Sequence, residues 1–501
     1  MMSNHIFQII EQLVKKGIEH ELITLQDEVY VRNQILGLLQ VEGFLSPKLE
    51  TTIQDIPDLL EALVDYAVQE KIIEDVLDDK EILTANIMNC FLAKPADVNR
   101  EFYEQFVVSP EAATDYFYKL SKNSNYIQTK RIAKNIQYKT ESPYGKLDIT
   151  INLSKPEKDP EQIKRERAMK QQISYPQCLL CRENEGYVGR TGYPARSNHR
   201  IIEVPLEGET WFLQYSPYVY YNEHSILLSG EHRPMEITSS TFERLTAFVE
   251  KFPHYFMGSN ADLPIVGGSI LSHDHYQGGR YTFAMTKAAD AFSFPLVKYP
   301  NVIASVVEWP MSVIRIRSEN KKEVVEAAAY LLEQWQNYSD PTIEIVAFTG
   351  DTPHNTITPI ARMRDHAFEL DLVLRNNRTT EQYPFGIFHP HEDVHHIKKE
   401  NIGLIEVMGL AVLPPRLKDE LNAIEAHLLD QQTPVADYHQ AWVKQIKQQN
   451  DSINTSNVKG ILHQALGDKF TRVLEDAGVF KSSEDGKQAF KRFIETVNHK
   501  Q

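Results

Sequence analysis

The sequence predicts an α+β protein: two related halves of short strands and helices, flanked by helical regions at both ends. Three observations carry this. Apolar residues recur at three- and four-residue steps near both termini. The middle of the chain alternates polar and apolar residues in short runs. Each of two middle series ends in a His-x-His step, His273 and His275 in the first, His389 and His391 in the second. The expected segments are 1–135 (helical), 136–290 (first half), 291–416 (second half) and 417–501 (helical).

In the first segment Ile56, Leu59, Leu60, Leu63, Val64 and Ala67 make one apolar helical stripe. Pro95, Pro110 and the polar run 121–124 punctuate the region. GKLDITINLS at 145–154 alternates and reads as a strand, followed by the charged KPEKDPEQIKRERAMK. Strand-like runs follow at 200–205, 210–220 and 225–229. Phe242, Leu245, Phe248, Val249 and Phe252 predict a helix over 238–252 behind Thr and Ser caps. LPIVGGSIL at 263–271 reads as an apolar strand interrupted by glycines. In the second series SVIRIR at 312–317 is a strand and 321–337 a helix, and IEIVAFT at 343–349 and FELDLVLRN at 368–376 are strands. From 417 onward the pattern is helical and amphipathic again.

With 501 residues, 42% hydrophobic and 24% charged, the chain is neither disordered nor fibrous. Lys plus Arg number 53 against 69 for Asp plus Glu, a formal charge of −16. That field repels polyanions and makes duplex nucleic acid and anionic membrane poor partners. A small phosphorylated substrate needs only a local pocket of donors. The N-terminal MMSNHIFQIIEQLVKK lacks the apolar core and cleavage site of a signal peptide. No apolar run approaches the roughly 20 residues of a membrane span. Three cysteines, Cys90, Cys178 and Cys181, do not make a disulfide framework, so a reducing, cytoplasmic setting is expected.

The densest chemistry lies in DLPIVGGSILSHDHYQGG at 262–279. In a strand, alternation puts His273, His275 and Gln277 on one face, with Asp274 and Tyr276 on the other. Gly267, Gly268, Gly278 and Gly279 permit close backbone approach to a phosphate. An isolated histidine pair is as well explained by core packing or solvation; here imidazoles, an amide and paired glycines meet in the stretch 273–279. Cys178 and Cys181 have the spacing to chelate one Zn²⁺ at about 2.3 Å per bond. The same pair could be redox-active or merely buried, although Pro176 and RENEGYVGR read as a loop or knuckle. FGIFHPHEDVHHIKKEN at 385–401 carries His389, His391, His395 and His396 beside Glu392 and Asp393. These residues suit a second metal, phosphate donors or a solvated loop.

The stretch 262–279, with SPEAATDYFYKLS, GKLDITINLSKPEKDP and HPHEDVHHIKKENIGLIEVMGLAVLPPRL, resembles the galactose-1-phosphate uridylyltransferases of the second, mainly bacterial class. The resemblance covers most of the chain. It implies two histidine-triad-like halves with antiparallel sheets, and transfer of UMP from UDP-glucose to galactose 1-phosphate. It makes His275 the nucleophile, with a backbone carbonyl on its other ring nitrogen and Gln277 donating to a phosphate oxygen. Imidazole suits the task because its pKa of about 6.5 leaves a lone pair near neutrality. By the first class's pattern, Cys178, Cys181, His232 and His273 hold zinc, with His224 competing with His232, and His389 and His391 suggest a second metal site. Asp274 stands where that class has proline. Asn260, Ser269, Gly278 and Arg280 are expected at the substrate, with Arg190, Arg196 and Arg200 as further phosphate clamps. No organic cofactor is implied; the partners are UDP-glucose, UDP-galactose, hexose 1-phosphates and a second copy of the chain. Competing readings are a nucleotide hydrolase or phosphorylase and a non-catalytic, zinc-stabilised nucleotide sensor.

Overall fold

The N-terminal periodicity folds into helices in the computed structural model, which describes residues 2–47, 54–154, 174–268 and 270–499. They are α1 (Met2–Glu19), α2 (Glu28–Leu38), α3 (Ile56–Gln69), α4 (Leu77–Asn89), α5 (Pro95–Val108) and α6 (Pro110–Asn123). The predicted stripe of α3 is buried and packs with Leu13, Ile35 and Met88. Proline falls in the first turn of α3, α5 and α6, where its missing N–H costs no intrahelical bond. Ser109 caps α6 by accepting the Ala112 N–H at 3.0 Å.

The middle of the chain runs through β1 (Ile136–Thr140), β2 (Leu147–Ile151), β3 (Ile202–Leu206), β4 (Glu209–Tyr215) and β5 (Ser225–Ser229). Helix α7 (Ser239–Lys251) leads to β6 (Phe256–Gly258), β7 (His275–Gly279), β8 (Asp290–Phe294), β9 (Ile303–Val307) and β10 (Val313–Ser318). Then come α8 (Lys321–Gln336), β11 (Asn355–Arg364), β12 (Ala367–Asn376) and β13 (Leu410–Leu413). The chain closes with α9 (Leu417–Leu428), α10 (Asp437–Gln449), α11 (Val458–Ala477) and α12 (Glu484–His499). The class is therefore α+β, with mostly antiparallel pairing. No helix among the described residues is long and apolar enough to cross a membrane.

Two compact units share the chain. The first comprises Met1–Lys134, Ser154–Val219 and Glu223–His232; the second comprises Asn135–Leu153, Tyr220–Asn222 and Arg233–Gln501. The first holds α1–α6 and the antiparallel meander β3-β4-β5. The second holds the antiparallel order β7-β6-β11-β12-β10-β9-β8, with α7 and α8 packed on β11. It also holds the β1–β2 hairpin, which β13 extends in parallel. Leu147 and Ile149 of β2 share a core with Leu417, Trp442, Ile446 and Phe470 of the C-terminal helices. The hairpin thus groups with the C-terminal helices, whereas 154–219 groups with the N-terminal ones, a division that cuts across the contiguous segments expected from texture.

Three local expectations differ. Residues 263–268 and 270–271 turn instead of extending; Ile265 has φ 72, the left-handed region. Consequently β7 starts at His275, and His273 precedes the strand. In 343–349, Asp340 accepts the Thr342 N–H at 3.2 Å and nucleates a turn, and Glu344 is left-handed (φ 64), so that Ile345 makes an isolated bridge back to Asp340 and 348–349 pair with 352–353. Strand β11 escapes notice because its Asn, Thr and Arg residues look solvent-facing. Those of 355–362 are buried instead: Arg362 pairs with Glu369 at 2.7 Å and with Asp371, which Arg315 of β10 also holds, at 2.7 Å.

Two glycines of α11 give opposite expectations. A Cβ on Gly467 would overlap Thr140 of β1, whereas one on Gly460 meets nothing within 4 Å. Gly460→Ala should raise the apparent Tm through helix propensity, worth up to about 1 kcal/mol. Gly467→Ala should lower it, because overpacking costs about 1–3 kcal/mol against the same gain. Thermal unfolding of the two variants checks the pair.

Candidate active site and metal centre

Strand β7 lies antiparallel to β6, with Gln277 opposite Gly258 and Phe256 opposite Gly279. The strands approach so closely at Gly278 that a Cβ there would overlap the Phe256 carbonyl oxygen. Glycine at 278 is therefore required by the sheet, whatever ligand passes it. The Gly278 carbonyl also accepts the buried Tyr221 hydroxyl at 3.1 Å.

His275 opens the strand and is 6% exposed. Its Nδ1 lies 2.8 Å from the His273 carbonyl oxygen. A carbonyl only accepts, so Nδ1 carries the proton and Nε2 keeps its lone pair. Burial pushes the His275 pKa down to about 4, the bond to the His273 carbonyl opposes this, and the neighbouring His273 ring adds to it. At neutral pH the ring is an uncharged base with one free nitrogen, the form that nucleophilic catalysis uses.

Asn260 is buried, and its Oδ1 accepts the Leu404 N–H at 2.9 Å. That bond fixes which end of the amide donates. Its Nδ2 lies 2.5 Å from where a Cβ on residue 268 would sit, so Gly268 makes the room the amide occupies. Ser269 lies outside the described residues. Arg280 is half-buried, and its carbonyl accepts the Asn222 amide at 3.5 Å.

Within the first unit the CxxC forms a tight knuckle. The Cys181 N–H donates to the Cys178 carbonyl at 3.2 Å, and the Leu180 N–H to Cys178 Sγ at 3.4 Å. Asn184, which the sequence did not single out, donates to the carbonyls of both cysteines at 2.8 and 2.7 Å. The two sulfurs are 3.5 Å apart, and Cys181 Sγ is 3.2 Å from His232 Nδ1. Ligands on a tetrahedral Zn²⁺ with bonds of about 2.3 Å stand somewhat under 4 Å apart. The spacing and the donor set both suit that ion, so Cys178, Cys181 and His232 form a Cys/His cluster that could hold a metal. The histidine at the knuckle is His232. Without a cation, burial pushes the Cys181 thiol up to about 12, with the hydrogen bond to Cys178 adding to it; a bound divalent ion reverses that balance.

Other candidates have different employment. The Arg200 guanidinium donates to the carbonyls of Ala93, Ser197 and His199 and to the Asn89 amide oxygen. It ties the lead into β3 to the end of α4. Arg190 donates to the Tyr175 carbonyl and the Tyr187 hydroxyl, and Arg196 lies over the Tyr126 ring. In the second His-x-His, His391 Nε2 is 3.0 Å from the Ile387 carbonyl, which makes that nitrogen a donor rather than a metal ligand. His389 is 2% exposed, and among the described residues neither ring nitrogen has a hydrogen-bond partner; burial pushes its pKa down to about 4, with Arg375 adding to the shift.

Comparison with known proteins follows the same residues. The family model described as galactose-1-phosphate uridyl transferase, N-terminal domain, matches residues 21–234, and its C-terminal-domain counterpart matches 248–444. A galactose-1-phosphate uridylyltransferase of Ligilactobacillus salivarius is 53% identical over 98% of both chains. One from Enterococcus faecalis is 51% identical over 99% of both chains. The crystal structure of yeast Ap4A phosphorylase is similar at TM-score 0.32 and 12% identity, covering 65% of this chain and 90% of that one.

The His275 geometry has a direct spectroscopic consequence. Histidine-selective ¹⁵N NMR should show a neutral Nδ1–H ring from pH 8 to about 5, charging only near pH 4. Because the folded pKa lies below the unfolded value of about 6.5, the unfolded chain takes up the proton first as pH falls. His275 therefore contributes a loss of stability between roughly pH 6.5 and 4. A resonance titrating near 6.5 would contradict this environment.

Proposed function

The chain belongs to the galactose-1-phosphate uridylyltransferase family, and we propose that it transfers UMP from UDP-glucose to galactose 1-phosphate through a uridylyl-His275 intermediate. It is a nucleotidyltransferase of galactose metabolism. One observation carries the mechanistic reading: a buried, neutral imidazole whose Nδ1–H is committed to the His273 carbonyl and whose Nε2 is left as a base. In the first half-reaction the Nε2 lone pair attacks the α-phosphorus. The P–O bond to glucose 1-phosphate breaks, and its electron pair leaves with that product. Positive charge gathers on the ring, where the Nδ1–H bond to the carbonyl strengthens and shares it. In the second, a phosphate oxygen of galactose 1-phosphate attacks, the N–P bond breaks, and the imidazole lone pair returns.

Gln277 is assigned to donate its amide to a phosphate oxygen. It cannot deliver a proton, which favours waiting for a sugar phosphate over yielding to water. Asn260, presenting Nδ2 beside Gly268, is assigned to another phosphate oxygen; Ser269 and Arg280 are assigned to the substrate as well. His273 is assigned as the fourth zinc ligand. The ion would supply a closed structural brace outside the reaction. We place the enzyme in the cytoplasm as a homodimer, without nucleic-acid or membrane partners; the charge of −16 and three cysteines without a disulfide fit this setting.

Labelled UDP-glucose without acceptor should leave acid-labile, base-stable label on His275, discharged by galactose 1-phosphate. Rapid loss to water would indicate a hydrolase, and no label a nucleotide sensor. His275→Gly should abolish transfer while leaving a space that added imidazole can fill; normal turnover would refute the assignment. The protein should also contain about one zinc per subunit, lost in the Cys178→Ser, Cys181→Ser double variant together with thermal stability. Elemental analysis of parent and variant decides.

A further inference from the structure

We infer that Asp274, Arg233 and Arg244 form a positioning device on the strand face opposite the nucleophile, holding one peptide unit that orients the His275 ring. The inference rests on His275 being the nucleophile. The peptide joining His273 to Asp274 is held at both ends. Its C=O accepts His275 Nδ1–H at 2.8 Å, and its N–H donates to the Arg233 carbonyl at 2.7 Å. A second bond, Met235 N–H to the Leu271 carbonyl at 2.9 Å, makes a short ladder of the two segments. Rotating that peptide would move the carbonyl away from the ring, so the bond to Arg233 bears on the tautomer of His275.

The Asp274 side chain secures the same unit from behind. Its carboxylate is 5% exposed and would be costly unless paired. Oδ2 lies 3.3 Å from Arg233 Nε and 3.7 Å from Arg244 Nη1. Arg244 projects from α7, and the same Nη1 donates to the Tyr276 hydroxyl at 3.3 Å. One guanidinium thus reaches both residues that alternate with the catalytic face. These groups act on His275 through the backbone and are positioning residues.

The test is the single-turnover rate of uridylyl labelling of His275, per folded protein, with histidine ¹⁵N spectra alongside. Asp274→Asn keeps the peptide N–H but loses the charge, and should slow labelling on the order of 10-fold. Asp274→Pro, which puts here the residue of the first class, also removes the N–H that the Arg233 carbonyl accepts in this chain, and should slow labelling more than Asp274→Asn. KM for UDP-glucose should stay within about threefold, because ground-state binding is not touched. The ¹⁵N spectra should show His275 mixing its two tautomers. Arg244→Gln should match Asp274→Asn, the double variant should be little worse than either, and Arg244→Lys should recover part of the rate. Should the proline variant not fold, the Arg244 series and its double variant decide alone. Parent-like labelling in folded Asp274→Asn and Arg244→Gln, or fully additive losses, overturns the inference. Absence of His275 label in the parent protein overturns the nucleophile reading instead.

Discussion

The peptide unit between His273 and Asp274 is the constraint on which the site depends. A histidine as buried as His275 pays for lost hydration and is driven neutral, to a pKa of about 4. Neutrality alone leaves two tautomers, of which only the one protonated at Nδ1 offers Nε2 to a phosphorus. The His273 carbonyl chooses between them, and its orientation follows from what the other end of the same peptide does. The pairing of β6 with β7 supplies the frame, drawn close at Gly278. Larger side chains there would push the strands apart and carry the ring with them.

The knuckle in the first unit solves a different problem with similar means. Asn184 turns both cysteine carbonyls inward, and Tyr193 donates to the Cys178 carbonyl and the Asn184 amide oxygen at 3.0 and 2.9 Å. The backbone is therefore shaped by neutral hydrogen bonds before any cation arrives. What a cation adds is charge: the Cys181 thiol that burial keeps protonated becomes a thiolate, and binding energy becomes stability. No bond-making step requires it, which is why redox-inert zinc fits this donor set.

Legibility in the sequence tracks the distance over which each interaction closes. His273, His275 and Gln277 lie within five residues, and the cysteines within four, so their spacing announced them. His232 could not be told from His224 because Cys181 lies 51 residues away from its partner. Arg200 resembled a phosphate clamp, since a guanidinium spent on the carbonyl of Ala93 and the amide of Asn89 leaves no local sign. Strand β11 was hidden by burial of charges that alternation assigns to water, and 263–268 was misread because apolar residues fill a turn as readily as a strand. Asp274 stood in plain view between the histidines, but its partners Arg233 and Arg244 are 41 and 30 residues upstream.

That misread turn also bears on how the His275 ring is held. Inside a regular strand, backbone carbonyls are committed to neighbouring strands in the ladder. Were β7 to begin early enough to contain His273, as strict alternation suggests, that carbonyl would be drawn toward such pairing. By beginning at His275, the strand keeps the regular geometry that aims His275 and Gln277 to one face. The His273 carbonyl meanwhile remains available to a side chain two residues on. The turn over 263–268 brings the chain to this point irregularly, with Ile265 in the left-handed region and Gly268 yielding space to the Asn260 amide. A longer, more regular strand would be the better sheet and would hold the Nδ1–H tautomer of His275 less well.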